Sequence, residues 1–346
     1  MISTNTEVST ANLTNTLPSY DEAVHVNCTD DIHAFMKSYL PAFYGVIFFI
    51  GFLGNIMALW VYTFKMRPWK SSTVIMFNLA CTDLLYLISL PFLIHYYANG
   101  EHWVFGDFLC KFIRFTFQFN LYSSILFLTC FSIFRYFAIV HPIRCVLVRK
   151  KGWVIVACCA SWLISLLAVS PINYFITPKN HENKSMCLEL SRSDDVDVIR
   201  WYVWLLSGLA FFLPLITVSL CYIAIIYTLA TGLHTQNRYK RKARNLAFLL
   251  LLVFYVCFLP FHVFRIIQIE LRIHRVRCDV ETHVHAMYVV SKPMAAMNTC
   301  CNLLIYAVIS DNFQQAIQCL LRWKSSNIIQ PRATGTDFKK TEIFKL

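Results

Sequence analysis

Residues 246–269 read LAFLLLLVFYVCFLPFHVFRIIQI, an almost unbroken apolar stretch. A helix rises about 1.5 Å per residue, so about 20 apolar residues cross the roughly 30 Å hydrocarbon core of a bilayer. This stretch meets that requirement by itself, and a soluble domain rarely contains even one segment of this kind. The sequence here therefore predicts a transmembrane helix.

Six further stretches have the same length and character, and they are residues 39–64, 74–97, 108–139, 153–172, 199–229 and 284–309. The whole chain is 57% hydrophobic and only 14% charged, which also departs from soluble composition. Backbone polar groups in lipid must bond to one another, and helices achieve this within each segment. We predict an all-α membrane protein whose residues 39–309 form a seven-transmembrane helix bundle.

Lysine and arginine concentrate in the first, third and fifth segments between these spans and in the tail after the last one. Basic loops stay in the cytosol, so we predict a multi-pass plasma-membrane protein with residues 1–38 outside and residues 323–346 as a cytoplasmic tail. The net charge of +12 then indicates topology and attraction to anionic inner-leaflet lipid. Nucleic-acid binding is not expected, because the cations do not form an independent folded domain.

Several modification sites follow from this topology. Sequons at Asn12, Asn27 and Asn183 all fall on the predicted outside, where glycosylation occurs. No apolar segment near Met1 has the form of a cleavable signal peptide. Residues 310–322 carry apolar side chains at helical spacing, which predicts a short amphipathic juxtamembrane helix with Cys319 as a candidate for palmitoylation.

Four of the fourteen cysteines lie on the predicted outside, and they are Cys28, Cys110, Cys187 and Cys278. Disulfides form in that oxidising compartment, and four cysteines permit three pairings. We favour Cys110–Cys187 together with Cys28–Cys278, the first of which would fold the loop between spans four and five over the bundle mouth. Cysteines within the spans are expected to be small packing residues, and none has the spacing of a metal site.

Short motifs follow the order and spacing of a known family along the whole bundle. They are Gly54-Asn55, Leu79-Ala80-Cys81-Thr82-Asp83, Phe134-Arg135-Tyr136, Trp162, Pro214 with Tyr222, Phe258-Leu259-Pro260 and Asn302-Leu303-Leu304-Ile305-Tyr306. The chain therefore resembles the rhodopsin-like, class A, G protein-coupled receptors. Residues 105–110 and 258–265 are similar to the purinergic nucleotide receptors, while residues 66–72, 79–97 and 120–136 look closer still to receptors for 2-oxoglutarate.

The resemblance implies an agonist outside and a heterotrimeric G protein, of the Gq class, with arrestin inside. It assigns the cytosolic switch to Arg135, Tyr136, Tyr222, Tyr306 and Phe258. The chain departs from the family at three positions, where Phe134 replaces the usual acidic residue, Phe258 the frequent Trp and Leu303 the usual Pro. One salt bridge of the inactive state is thus missing, and we expect raised basal signalling.

Asp83 lies at mid-membrane, where a charged side chain costs about 2.5–3.5 kcal/mol on insertion scales. A water-bound polar residue is one interpretation. The family implies another, an allosteric sodium ion held by Asp83, Ser124, Asn298 and Asn302 with Asn55 nearby, since hard cations prefer oxygen ligands. No other cofactor is expected.

Three cations from three spans lie at similar depth near the outer mouth, and they are Arg114, Arg265 and Lys292. If they converge, they predict a small anionic agonist, or acidic loop residues in its place. If each instead extends separately to the headgroups, they are ordinary snorkelling residues. The resemblance to receptors that hold phosphate or carboxylate favours the first interpretation, with His262, Gln118, Tyr96 and Tyr97 as lining groups. In receptors for 2-oxoglutarate, a His stands at the position of Gln118 and an Arg at that of Lys292.

We therefore predict a receptor for a small dicarboxylate, with 2-oxoglutarate as the leading agonist. A nucleotide or a cysteinyl leukotriene on the same scaffold remains an alternative. An organic-anion carrier is less expected, because no repeat symmetry or broken mid-membrane helix is evident. An enzyme is not expected either, since no nucleophile–base pair or metal cluster lies at a plausible cavity.

Overall fold

The computed structural model describes residues 20–141, 151–181, 184–188, 196–231, 237–274 and 278–309, with positions 313–315 and 318. In chain order its helices are α1 (Tyr20–Phe64), α2 (Ser71–Leu87), α3 (Leu90–Ala98), α4 (Gly106–Val140), α5 (Lys151–Val169), α6 (Ile172–Phe175), α7 (Val196–Ser207), α8 (Leu213–Thr231), α9 (Asn237–Leu252), α10 (Leu259–Ile273), α11 (Cys278–Ala296) and α12 (Asn298–Ile309). Two π-helical segments, Gly208–Phe212 and Val253–Phe258, join α7 to α8 and α9 to α10. Strands β1 (Thr177–His181) and β2 (Lys184–Leu188) form an antiparallel hairpin.

Six helical stretches within this part of the chain are long and apolar enough to cross a membrane. They define spans one to six as Met36–Phe64, Ser71–Ala98, Gly106–Val140, Gly152–Tyr174, Val196–Thr231 and Lys240–Ile273. Each overlaps one of the stretches expected from the sequence, so the prediction of an all-α membrane bundle is confirmed. Helix α1 begins at Tyr20, so it includes a polar segment before the apolar span that starts at Met36.

Span seven differs from the single helix expected over residues 284–309. It consists of α11 and α12, separated by a turn at Met297. Pro293 lacks the backbone N–H that an uninterrupted helix needs, and the N–H of Met297 bonds the Pro293 carbonyl at 2.9 Å. Helix α12 has 12 residues and is too short to cross a bilayer, while the 19 residues of α11 include Asp279, Glu281 and Lys292, so the two helices form span seven together.

Prolines also account for the wide turns in spans five and six. Pro214 and Pro260 follow the two π segments, and the carbonyl four residues before each proline lies inside the segment. Because a proline cannot donate a hydrogen bond to that carbonyl, the helix widens locally. Both widened turns lie beside residues of the candidate site, so they help determine which side chains face the bundle interior.

Span three is the central element, since nearly every side chain from Ile113 to Ser132 is buried. The outer spans instead expose large apolar residues such as Phe49, Leu167 and Trp201, as a lipid-facing surface requires. Polar side chains on span three are therefore directed at other helices.

The β1–β2 hairpin is tied to the start of span three. A disulfide joins Cys110 to Cys187, with 5.8 Å between their Cα atoms. The Trp103 N–H also donates to the Ser185 carbonyl at 2.7 Å. The first of the two expected pairings is thus present. The second, Cys28–Cys278, involves side chains outside the described ones and stays a prediction.

A half-buried hydrogen bond links spans two and four. Trp162 donates from Nε1 to Asn78 Oδ1 at 2.9 Å, and its ring packs against Phe119 and Phe127. Interhelical hydrogen bonds of this kind contribute about 1–2 kcal/mol at most in membranes.

We predict that Trp162→Phe lowers the midpoint of thermal unfolding in detergent by about 1–3 °C, because Asn78 loses its donor while most of the ring packing is kept. Trp153→Phe is the control, since Trp153 lies on the same span but is 60% exposed. Equal shifts for both variants would contradict a specific role for the hydrogen bond.

Candidate ligand-binding site

Arg114 lies one helical turn below Cys110 in span three, under the hairpin. Its Nη2 donates to the Cys187 carbonyl at 2.8 Å, and its Nη1 lies 3.5 Å from the Tyr97 hydroxyl. The ring of Tyr96 lies 5.8 Å from the guanidinium carbon. Only 7% of the Arg114 side chain is exposed. Arg114 is therefore turned into the bundle, with the expected lining residues Tyr96 and Tyr97 beside it.

Arg265 is buried still more deeply, at 1% exposure. Its Nη1 donates to Gln118 Oε1 at 3.1 Å and to the Tyr122 hydroxyl at 3.3 Å. The Phe261 ring lies 5.8 Å from its guanidinium carbon. The side chain thus reaches across the bundle from span six to span three and does not extend along the helix to the headgroups.

Arg114, Gln118 and Tyr122 follow one another at intervals of four residues, so they form one stripe along span three. Successive members are about 6 Å apart along the axis. Arg265 bonds to the second and third members, directly below Arg114. Two guanidinium groups therefore lie at one stripe, Arg114 as a member of it and Arg265 as its hydrogen-bond partner from span six. Like charges repel, and an anion placed between them would offset that repulsion.

Lys292 is joined to the same region through aromatic rings. Its Nζ lies 4.6 Å from the centroid of the Tyr288 ring, a distance at which a cation and a ring attract each other. The Tyr288 ring stacks on Phe261 with centroids 5.7 Å apart, and Phe261 is the ring beside Arg265. Lys292 and Arg265 thus contact different members of one aromatic pair, so two rings separate the third cation from Arg265.

His262 lies below Arg265 on span six and is fully buried. Its Nδ1 is 3.4 Å from Ser207 Oγ, and its ring stacks on Phe211 with centroids 4.1 Å apart and 7° between planes. Among the described residues, Nε2 has no hydrogen-bond partner. A buried nitrogen in this position can meet a polar group of a ligand or a water molecule.

Asp83 forms the centre of a second buried polar cluster. Asn120 Nδ2 donates to one carboxylate oxygen at 3.0 Å, and Asn302 Nδ2 donates to the other at 2.9 Å. Ser124 and Asn298 each lie one helical turn from these two donors. The oxygens of Ser124, Asn298 and Asn302 are buried without a hydrogen-bond partner in the part of the chain that is described. This set of oxygens fits a sodium ion, because hard cations prefer carboxylate, amide and hydroxyl ligands.

At the opposite end of span three, Arg135 lies with its guanidinium carbon 5.2 Å from the Phe131 ring centroid. The Tyr136 hydroxyl is 3.2 Å from His141 Nε2. Tyr222 is buried at 1% exposure. The structure therefore places these three expected switch residues at one end of spans three and five.

Tyr306 and Phe258 are the other expected switch residues, and both are fully buried. Tyr306 packs edge-on against Tyr62 with centroids 5.7 Å apart and against Phe313 at 6.0 Å. Phe258 packs edge-on against Phe254 at 5.5 Å, at the end of the π segment in span six. Their roles in switching stay predictions.

Some expected positions lie outside the described part of the chain. They are Asn12, Asn183 and Cys319, together with the side chain of Asn27. The amphipathic helix expected over residues 310–322 is described only at positions 313–315 and 318, where Phe313 is buried.

The sequence reasoning missed two residues that the structure brings into the site. Tyr122 shares Arg265 with Gln118, and Asn120 shares Asp83 with Asn302. A usable signal existed for both, since Tyr122 comes four residues after Gln118 and Asn120 four residues before Ser124. Helical spacing from residues already selected would have identified them.

Comparison with known proteins agrees with this architecture. A family model described as 7 transmembrane receptor (rhodopsin family) matches residues 54–306. The chain is 56% identical to 2-oxoglutarate receptor 1 of Mus musculus over 88% of this chain and 90% of the relative. It is 58% identical to 2-oxoglutarate receptor 1 of Rattus norvegicus over 86% and 89%.

A more distant similarity extends to the purinergic receptors. Purinoceptor 1 of Mus musculus is 37% identical over 82% of this chain and 77% of the relative. The resemblance to class A receptors with a purinergic-like branch is therefore confirmed, and the matches are to receptors, not enzymes. Its seven helical spans, motifs and relatives together show that this chain belongs to the rhodopsin family of seven-transmembrane, G protein-coupled receptors.

Proposed function

We propose that this chain is a cell-surface receptor for a small dicarboxylate, with 2-oxoglutarate as the first agonist to test. The observation that carries the proposal is the burial of two arginines at one stripe of span three. Arg114 belongs to the stripe, and Arg265 reaches it from span six. The names of the mouse and rat relatives support the choice of 2-oxoglutarate.

The expected affinity follows from the charges. A unit pair about 4 Å apart gains about 4 kcal/mol at an effective dielectric near 20, before the ions lose their water. Two carboxylates held by two or three cations then correspond to micromolar to millimolar binding, or about 4–8 kcal/mol. A ligand with about ten heavy atoms has little further surface with which to bind more tightly.

A nucleotide is the second candidate, because the mouse purinoceptor is 37% identical. A nucleotide would place phosphates on the same cations and needs an additional slot for its base. A cysteinyl leukotriene would need room for its chain among the aromatic residues. An anion carrier is not favoured, since the family is one of receptors.

The mechanism that we propose is a population shift, in which the agonist favours one arrangement of the bundle and that arrangement opens a cytosolic groove. A G protein of the Gq class would bind there beside Arg135, and arrestin would compete for the same face. Attraction to anionic inner-leaflet lipid would hold the basic cytosolic segments at the membrane.

The amino terminus is proposed to be extracellular. The Cys110–Cys187 disulfide supports this orientation, because disulfides persist in the oxidising compartment. Span one begins at the end of the bundle where span two ends and span three starts with Cys110, so the preceding segment would lie on that same side.

An allosteric sodium ion is proposed at Asp83. Ser124, Asn298 and Asn302 would complete its ligands, and the ion would favour the arrangement that binds agonist weakly. The buried oxygens around the carboxylate support this assignment.

We predict that Arg265→Gln raises the half-maximal concentration of 2-oxoglutarate about 100-fold in a calcium-response assay, because a buried guanidinium partner is lost. Arg265→Lys should raise it about tenfold, since the charge remains but the two-pronged geometry does not. Surface expression is measured in parallel.

Arg272→Gln is the matched control, because Arg272 lies on the same helix at its exposed outer end. Its response should equal that of the parent.

The agonist panel also includes succinate, adenosine diphosphate and a cysteinyl leukotriene. A nucleotide response that exceeds the dicarboxylate response would reject the proposed agonist class.

We predict that replacing sodium with choline at constant ionic strength increases agonist affinity about fivefold or more in the parent receptor and not in Asp83→Asn. Competition binding on membranes measures the effect. Asp107→Asn is the control, since that carboxylate is exposed at the start of span three and should keep full sodium sensitivity. Sodium sensitivity that survives in Asp83→Asn would remove the ion from this position.

We predict that Phe134→Asp lowers ligand-free signalling about twofold to fivefold, because it restores a carboxylate next to Arg135 and so stabilises the inactive arrangement. Inositol phosphate accumulation without agonist measures this. Phe134→Asn tests for the loss of the ring alone and should not lower basal signalling. An unchanged basal signal in Phe134→Asp would show that the missing acid is unimportant.

A further inference from the structure

A groove of about 400 Å³ lies between spans six and seven at the end of the bundle opposite the β1–β2 hairpin. Its lining residues are Arg244, Asn245, Phe248, Leu249 and Val308. It is not part of the proposed agonist site or of the Asp83 cluster. A ligand of this groove would therefore be distinct from the agonist and from the sodium ion.

The lining residues are sorted by polarity along the membrane normal. Arg244 and Phe248 are separated by four residues, as are Asn245 and Leu249, so each pair occupies one column on span six. The polar members lie about 6 Å closer to the helix start than the apolar members. An occupant would thus meet a cation and an amide at one level and an apolar slot at the next.

The groove is open to the lipid side of the bundle. Phe248 is 64% exposed, and Arg244 and Asn245 are also exposed. Span six begins at Lys240, so Arg244 lies near the boundary between headgroups and hydrocarbon. The disulfide-bearing hairpin marks the opposite, oxidising side, which places this groove in the inner leaflet.

The charge at the groove is positive. Among the described residues, its lining contains Arg244 and no acidic side chain. A neighbouring cavity of about 250 Å³ shares Val308 and adds Lys242 and Arg135. The inner leaflet carries anionic phospholipids, and each basic residue near its surface contributes about 1 kcal/mol to their binding.

We propose that this groove binds one anionic phospholipid of the inner leaflet. The headgroup phosphate accepts hydrogen bonds from Arg244 and Asn245, and an acyl chain lies over Phe248, Leu249 and Val308. A free anion would leave the apolar half unused. A zwitterionic phospholipid carries the same phosphate, but its ammonium group offsets that charge and reduces the net attraction to Arg244 and to Lys242 of the neighbouring cavity. A molecule with both an anionic headgroup and an acyl chain matches the polar and the apolar portions of the groove.

The test is native mass spectrometry of the purified receptor in detergent, titrated with dioleoylphosphatidylserine. Dioleoylphosphatidylcholine provides the chains without net charge, and glycerophosphoserine provides the headgroup without chains. We expect one phosphatidylserine to bind about fivefold more tightly than phosphatidylcholine. Glycerophosphoserine should not be retained. Equal binding of phosphatidylcholine, or retention of glycerophosphoserine, would overturn the proposal.

Variants distinguish the groove from diffuse surface charge. Arg244→Gln should lower phosphatidylserine affinity about fivefold and phosphatidylcholine affinity less, because the choline ammonium already offsets part of the phosphate charge. Phe248→Ser should weaken the binding of both lipids. Arg241→Gln is the matched control, because Arg241 is an exposed cation on the same helix outside the groove lining. If Arg241→Gln weakens binding as much as Arg244→Gln does, the lipid is held by general electrostatics and the site does not exist.

Discussion

Among the described residues, the largest fully buried side chain is a charged one, that of Arg265. Removing a guanidinium from water is expensive unless hydrogen bonds and charges replace the lost hydration. Here the guanidinium crosses from span six to span three and donates to Gln118 and Tyr122. These hydrogen bonds hold spans three and six in a defined relation, and they place a cation one helical turn below Arg114 and the hairpin. The proposed agonist site depends on that arrangement.

Span three connects the agonist site with the Asp83 cluster. Gln118 and Tyr122 bond to Arg265, while Asn120, between them in sequence, donates to Asp83 on another face. The two polar sites are therefore held by the same helical turns. If a movement of span three couples the two proposed sites, each ligand changes the affinity of the other by the same factor. This shared helix is a physical route by which an ion could alter agonist affinity.

The sequence was sufficient for much of the fold, because hydropathy is a sum over many residues and survives local irregularity. Spans one to six coincide with the apolar stretches that were expected. The break of span seven at Met297 was harder to foresee, since it depends on how Pro293 is accommodated by neighbouring helices. The π segments before Pro214 and Pro260 have the same origin, because a proline permits several local responses and packing selects one.

The site was predicted less completely than the fold, and for a physical reason. Arg114 and Arg265 could be selected because a charge in an apolar span is rare. Tyr122 could not be selected in that way, since a buried tyrosine resembles an ordinary packing residue until its hydroxyl partner is known. Asn120 has no charge to mark it either, and only its spacing of four residues from Ser124 pointed to it, because hydrogen bonds between helices depend on three-dimensional register.

The most direct measurement is an experimental structure of the receptor with bound 2-oxoglutarate in a lipid nanodisc. We expect one carboxylate within hydrogen-bond distance, about 2.7–3.2 Å, of the Arg114 guanidinium and the other within the same distance of Arg265. Both arginines would remain inside the bundle beneath the hairpin. Ligand density away from span three, or guanidinium groups directed into the lipid, would contradict the proposed site.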